Sequence, residues 1–165
     1  MSQKMTTALA ALILGTICVS APSSFASGGG GSSSSSASSS SSKPAATIDF
    51  STGRAAIDRK DWAAAISAFE KVVAQDDRNA DAYNWLGYAS RKSGKLDAAF
   101  KYYDSALAID PKHRGAHEYL GEAYLMAKNI DKAEEQLATL AKLCNSNCEE
   151  YKDLQQALVS YKTTK

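Results

Sequence analysis

The sequence repeats itself with a period of about 34 residues, and a period of this size is typical of solenoids built from one repeated supersecondary unit. Five positions recur in three successive copies. Two hold small residues: Gly53, Gly87 and Gly121, and Ala65, Ala99 and Ala133. Three hold apolar residues: Trp62, Leu96 and Ile130; Phe69, Tyr103 and Leu137; and Val72, Ala106 and Leu140. The period therefore restricts the folds open to the chain.

Each copy has the apolar spacing of two helices with a short break between them. In the second copy, residues 82–89 place apolar or small side chains on one helical stripe, and residues 93–95 interrupt it. A second stripe covers residues 96–107. It ends at Asp110-Pro111, because proline disfavours helical backbone in the residue before it. The repeated unit is therefore predicted to be a helical hairpin.

The second copy resembles the tetratricopeptide repeat family. The residues that carry the resemblance are Tyr83, Leu86, Gly87, Ala99, Tyr103, Ala106 and Pro111. The resemblance implies an all-α fold, a right-handed α-solenoid of three helical hairpins with repeats at 46–79, 80–113 and 114–147. Residues 148–165 are expected to form a capping helix and tail, since terminal repeats need an outer face that tolerates water.

The recurrent small residues are predicted to let the two helices of a hairpin cross closely. Gly87 and Gly121 have no side chain at the expected crossing, and Ala99 and Ala133 are expected to lie opposite them. The first copy departs from the pattern, because Asp49 stands where a large apolar residue is expected. Its first helix is therefore predicted to be short and to begin near Asp49 or residue 51.

The resemblance also implies where a partner would bind. In this family the first helix of each hairpin lines the concave face, which solenoids use for binding. The residues there that the hairpin interfaces do not use are Arg54, Asn84, Tyr88, Arg91, Glu118, Glu122 and Leu125. They form the candidate site for a protein or peptide. The alternative is that they are ordinary solvated helix residues. They do not resemble the Lys/Asn-rich clamp by which some family members hold C-terminal carboxylates.

Residues 1–26 have the pattern of an export signal. Lys4 supplies positive charge, residues 8–19 are mostly apolar, and Ser24-Phe25-Ala26 ends in a small residue suited to cleavage. The apolar stretch is shorter than the about 20 residues of a spanning helix, so a cleaved signal is favoured over a retained anchor. Residues 27–45 are rich in Ser and Gly and are predicted to be a disordered linker. The folded part is thus expected in the periplasm or outside the cell, without membrane insertion.

Charge and histidine content restrict the function further. Without the signal the chain holds 18 basic and 18 acidic residues, so it lacks the basic footprint of nucleic-acid binding. His113 and His117 could share a helical face, but two ligands do not complete a metal site. His117 occupies an apolar position of the repeat, and His113 is expected in an exposed turn. We predict no metal, no cofactor and no enzymatic activity, and self-association of exposed repeat ends remains an alternative.

Cys144 and Cys148 remain after signal removal, and an even count in an exported chain predicts a disulfide. It would join the third hairpin to the capping helix. The alternative is a thiol-redox or copper-handling site, since two thiolates suit Cu(I).

Overall fold

The computed structural model describes residues 45–164, with side chains from residue 49 onward. The expected signal peptide and the linker up to residue 44 lie outside the described residues. Within 45–164 the chain forms seven α-helices and no strands: α1 Ala45–Asp58, α2 Trp62–Gln75, α3 Ala80–Lys92, α4 Leu96–Ile109, α5 Arg114–Met126, α6 Ile130–Cys144 and α7 Glu149–Thr163. None of these seven is both long and apolar enough to cross a bilayer.

The helices pack as three consecutive hairpins and one closing helix. The hairpins are α1 with α2, α3 with α4, and α5 with α6, and each second helix also packs on the helix that follows it. In addition α3 contacts α5, and α5 contacts α7. These direct contacts place α3, α5 and α7 side by side. We call the side of the stack that these first helices form its inner side. The predicted all-α solenoid is confirmed.

The turn inside each hairpin repeats the same backbone conformation. Lys60, Gly94 and Lys128 stand one repeat apart, and their φ angles are 59°, 80° and 61°. This left-handed region favours glycine, so the two lysines occupy it at some conformational cost. Two of the following helices start with a side-chain cap: Asp61 accepts from the backbone N–H of Ala64, and Asn129 from that of Lys132. The period is therefore built into the turns as well as the core.

The first helix is longer than predicted. It begins at Ala45, not near Asp49, and spans 14 residues. Asp49 fits because its carboxylate accepts a hydrogen bond from Gln75 Nε2 at 3.2 Å, which ties α1 to the end of α2. The next residue, Phe50, packs edge-to-face on Phe69 at 5.3 Å between ring centroids. One polar residue at an apolar position therefore did not shorten the helix.

The recurrent glycines meet larger partners than the predicted alanines. A Cβ at Gly53 would lie 2.7 Å from Phe69 Cζ, and a Cβ at Gly87 would overlap the ring of Tyr103. Gly121 differs, because its Cβ would lie 2.5 Å from Leu154 Cδ2 of α7. The first two glycines thus admit a ring from their own hairpin, whereas the third admits the closing helix. The alanines of the second series are fully buried: Ala65, Ala99 and Ala133.

The link between α6 and α7 brings the two cysteines together. The Sγ atoms of Cys144 and Cys148 lie at disulfide distance, and their Cα atoms are 5.8 Å apart. Asn145 and Ser146 between them have positive φ angles of 51° and 59°. The two cysteines thus stand where a disulfide would fasten α7 to the third hairpin.

Reduction of this disulfide is expected to lower the free energy of unfolding by about 2 kcal/mol, because closing so short a loop restricts the unfolded chain only modestly. Urea unfolding with and without a phosphine reductant measures the difference. A chain with both Cys144→Ser and Cys148→Ser is the control and should not respond to the reductant. Equal midpoints for the unmodified chain in both conditions would contradict the assignment.

Candidate functional site

Three aromatic rings come together on the inner helices. Trp85 and Tyr88 of α3 lie 5.5 Å apart between ring centroids, and Tyr119 of α5 lies 4.9 Å from Tyr88 and 6.2 Å from Trp85. All three side chains are half-buried, so each presents part of its surface to solvent. We call these residues the aromatic cluster. It offers a large apolar contact area with polar hydroxyl and indole N–H groups at its edges.

Two arginines stack on the aromatic cluster. Arg54 of α1 places Cζ 3.8 Å above the Trp85 ring, and Arg91 lies 5.4 and 5.6 Å from the centroids of Tyr88 and Tyr119. Such positions favour a cation over an aromatic face. Arg54 Nη1 is buried without a hydrogen-bond partner among the described residues. The arginines therefore place positive charge at the border of the cluster, and Arg54 keeps one donor without a partner among the described residues.

Arg91 also holds three helices together. Its Nη2 forms an ion pair with Glu122 of α5 at 2.5 Å, and its Nε donates to the hydroxyl of Tyr103 of α4 at 3.4 Å. Arg91 is only 5% exposed. Two of the predicted site residues, Arg91 and Glu122, thus join α3 to α5 at the edge of the aromatic cluster.

The structure divides the seven predicted site residues into two groups. Tyr88 is a member of the aromatic cluster, and Arg54, Arg91 and Glu122 lie around it. The other three, Asn84, Glu118 and Leu125, are more buried than the sequence indicated, and so is Arg91. Leu125 packs with buried leucines of α6 and α7, so it belongs chiefly to the core. Asn84 and Glu118 line a cavity between α3, α5 and α7 that Trp85 and Tyr119 of the aromatic cluster also line.

Trp85 and Tyr119 were missed by the sequence reasoning although they form most of the site. They occupy equivalent positions in successive copies, and the first copy has Ser51 there. The position is not among those that carried the family resemblance, so it drew no attention. The sequence signal that could have identified them is that both positions, one repeat apart, hold an aromatic residue although the family's packing pattern does not require one there.

Both histidines serve local structure. His117 is buried, with Nδ1 2.7 Å from Gln136 Oε1 and Nε2 3.0 Å from the carbonyl oxygen of Pro111. His113 caps α5 and its Nε2 lies 3.0 Å from Asp81 Oδ1. The expectation that His113 lies in an exposed turn is wrong, since its side chain is 13% exposed. Among residues 49–164 no group of three or more His, Cys, Asp or Glu side chains is arranged to hold a metal ion.

Glu118 has an unusual proton affinity. Burial raises its pKa to about 8, and the carboxylates of Glu122, Asp153 and Glu150 add to the rise, while Arg91 opposes it. The folded chain therefore binds this proton more tightly than the unfolded chain does. The contribution of Glu118 to stability is greatest below the usual glutamate pKa and is lost as the pH rises toward about 8.

Glu118→Gln is expected to be more stable than the unmodified chain at pH 8.5 and equally stable near pH 4, because the amide carries no charge to desolvate. The substitution removes the part of the pH dependence of the unfolding free energy that Glu118 causes, which is at most about 1.4 kcal/mol per pH unit. Urea unfolding across this pH range measures it, and Glu135→Gln, on the exposed side of α6, is the control. Parallel pH profiles for the unmodified chain and Glu118→Gln would contradict the shifted pKa.

Comparison with known proteins links this architecture to one family. Two family models, both described as tetratricopeptide repeat, match residues 50–114 and 90–158. A curated relative, protein O-mannosyl-transferase Tmtc3 of Drosophila melanogaster, is 33% identical over 75 residues. That match covers 46% of this chain but 8% of the relative, so the chain spans less than a tenth of that protein.

Solved structures share the fold at low identity. The TPR2B domain of yeast Sti1, in a structure described as a pHsp70 complex, has a TM-score of 0.67 and 18% identity over 74% of this chain and 100% of that one. The first such domain of Spaghetti (RPAP3), bound to an HSP90 peptide, has a TM-score of 0.63 and 17% identity over 70% of this chain and 94% of that one.

Proposed function

Because residues 50–158 belong to the tetratricopeptide repeat family, we propose that this chain is a non-catalytic scaffold that holds a protein or peptide on its inner side. The observation that carries the proposal is the aromatic cluster with its two arginines. Tryptophan, tyrosine and arginine are the residues that dominate binding energy at protein interfaces. Here they converge on the inner helices, which are the surface that solenoids use for binding.

The neighbouring structures support this class of partner. One domain of the same fold is described in a pHsp70 complex, and another is described as bound to an HSP90 peptide. Their identities to this chain are only 18% and 17%, so they support peptide binding as a use of the fold and leave the ligand open. The mixture of rings, cations and carboxylates in this chain favours an extended peptide segment with both apolar and charged side chains.

The proposal includes no catalytic step. A nucleophile needs a positioned base, and both imidazoles of the chain are engaged in structural hydrogen bonds. We also propose that the scaffold acts after export, in the periplasm or outside the cell. The support is the signal-like pattern of residues 1–26 and a cysteine pair at disulfide distance, which an oxidising compartment would maintain.

A photo-crosslinking amino acid tests the binding face. Placed at Tyr88 in the full chain and in its own cell, it should capture a partner that mass spectrometry then identifies. The matched control is the same residue at Lys101, an exposed position on α4. Capture from Lys101 and not from Tyr88 would show that the wrong face was chosen. A second copy of this chain captured at Tyr88 would favour self-association over a separate partner.

A further inference from the structure

A cavity of about 350 Å³ between α3, α5 and α7 is lined by carboxylates. They are Asp81, Glu118, Glu149, Glu150 and Asp153. Two have a basic neighbour: Asp81 pairs with His113 at 3.0 Å, and Glu150 pairs with Arg114 at 3.4 Å. The other three have no ion pair within residues 49–164. The cavity therefore carries negative charge that the described part of the chain does not balance.

Helix termini explain only some of these carboxylates. Asp81 and Glu149 stand in the first turns of α3 and α7, where the helix dipole favours an anion. Glu118 and Asp153 are the fifth residues of α5 and α7, more than one turn inside. Asn84 is likewise the fifth residue of α3. Three polar side chains at the same level of three adjacent helices thus face one cavity without a capping role.

Two of the lining side chains are buried and lack partners. Asn84 is 4% exposed, and its Oδ1 has no hydrogen-bond donor among the described residues. Glu118 is 8% exposed and makes neither a hydrogen bond nor an ion pair within residues 49–164. Buried polar groups are normally satisfied. Asn84 Oδ1 and the ionised carboxylate of Glu118 both accept hydrogen bonds, so what they lack is a donor, and for the carboxylate a positive charge as well.

The same cavity has an apolar wall. Trp85 and Tyr119 of the aromatic cluster line it together with the carboxylates. The aliphatic part of a long basic side chain can pack on such rings while its charged end reaches the carboxylate oxygens. The cavity is at the small end of ligand pockets, which suits one side chain rather than a larger ligand.

We propose that this cavity receives a guanidinium or ammonium group from a basic side chain of the bound peptide, with Glu118, Asp153 and Asn84 Oδ1 as its acceptors. This rests on the proposed scaffold function and specifies its partner as a peptide with an arginine or lysine. The stem of that residue packs along Trp85 and Tyr119. The remainder of the peptide continues over the aromatic cluster, which shares these two rings with the cavity.

A direct titration tests the proposal without knowledge of the natural partner. The probe is the capped tripeptide Ala-Arg-Ala, added to the full chain at pH 8.5, where Glu118 with its pKa of about 8 is mostly ionised, and followed by backbone amide chemical shifts. Saturable shifts are expected at Asn84, Glu118 and Asp153. The same tripeptide with citrulline, a neutral isostere of arginine, should bind at least tenfold more weakly. Glu118→Gln should weaken Ala-Arg-Ala at least tenfold, whereas Glu135→Gln should leave its affinity unchanged.

Several results would overturn the cavity assignment. They are equal binding of the arginine and citrulline peptides, equal binding to the unmodified chain and Glu118→Gln, and shifts confined to other helices. Spermidine that binds more tightly than the tripeptide would identify a free polyamine as the occupant instead. If crosslinking at Tyr88 captures a partner while Ala-Arg-Ala fails to bind, the cavity assignment falls and the scaffold function stands.

Discussion

Leu154→Ala is expected to lower the free energy of unfolding by about 2–5 kcal/mol, the range for truncation of a buried leucine. Leu154 is fully buried and packs against Gly121, so it anchors α7 on α5. Its loss leaves a cavity between these helices that Gly121 has no side chain to fill. Urea unfolding of the full chain measures the change.

Val159→Ala is the matched control for this prediction. Val159 lies on the same helix but is 57% exposed, and its truncation should change stability by no more than about 0.5 kcal/mol. Similar losses for Leu154→Ala and Val159→Ala would show that α7 is not docked as described. An unaltered midpoint for Leu154→Ala would lead to the same conclusion.

Gly87→Ala is expected to destabilise the chain by about 1–3 kcal/mol, the usual cost of overpacking. On helix propensity alone the same change would stabilise by up to about 1 kcal/mol. The sign is reversed because the new Cβ overlaps the ring of Tyr103, which is fully buried and cannot move outward. Displacement of that ring would also disturb the hydrogen bond from Arg91 to the Tyr103 hydroxyl.

A double-mutant cycle separates the overlap from other effects of the alanine. In a Tyr103→Leu background the ring is absent, and Gly87→Ala should cost less than in the unmodified chain. Thermal or urea unfolding of the four chains gives the coupling. An equal cost in both backgrounds would mean that the ring of Tyr103 is not the partner of Gly87. A Gly87→Ala chain more stable than the unmodified chain would contradict the predicted overlap.

The repeat period predicted most of the fold, because most of the recurrent residues have the same packing role in each copy. The hairpins and the closing helix follow from it. The predictions about the fold that were wrong concern contacts between residues far apart in the sequence. The start of α1 was misplaced because Asp49 finds a partner in Gln75, far along the chain at the end of α2. The partner of Gly121 was misassigned because α7, outside the repeats, supplies Leu154 where the first two copies use a ring.

The site was less accessible to sequence reasoning than the fold. A position on the inner helix can be assigned from the period, and Arg54, Tyr88, Arg91 and Glu122 do gather there. The depth of burial cannot be assigned in this way. Glu118 and Leu125 occupy helix positions that would face solvent in an isolated hairpin, and the neighbouring helices bury them. Trp85 and Tyr119 matter through contact with each other, which only the stacked repeats create.

The dissociation constant of the partner captured at Tyr88, measured with purified chains, tests the scaffold function most directly. The account predicts that Tyr88→Ala, once its melting curve shows a folded chain, weakens binding at least tenfold, equivalent to about 1.4 kcal/mol. Lys101→Ala on the outer helix α4 should leave the constant unchanged. Equal affinity for Tyr88→Ala and the unmodified chain, with a loss for Lys101→Ala, would contradict binding on the inner side.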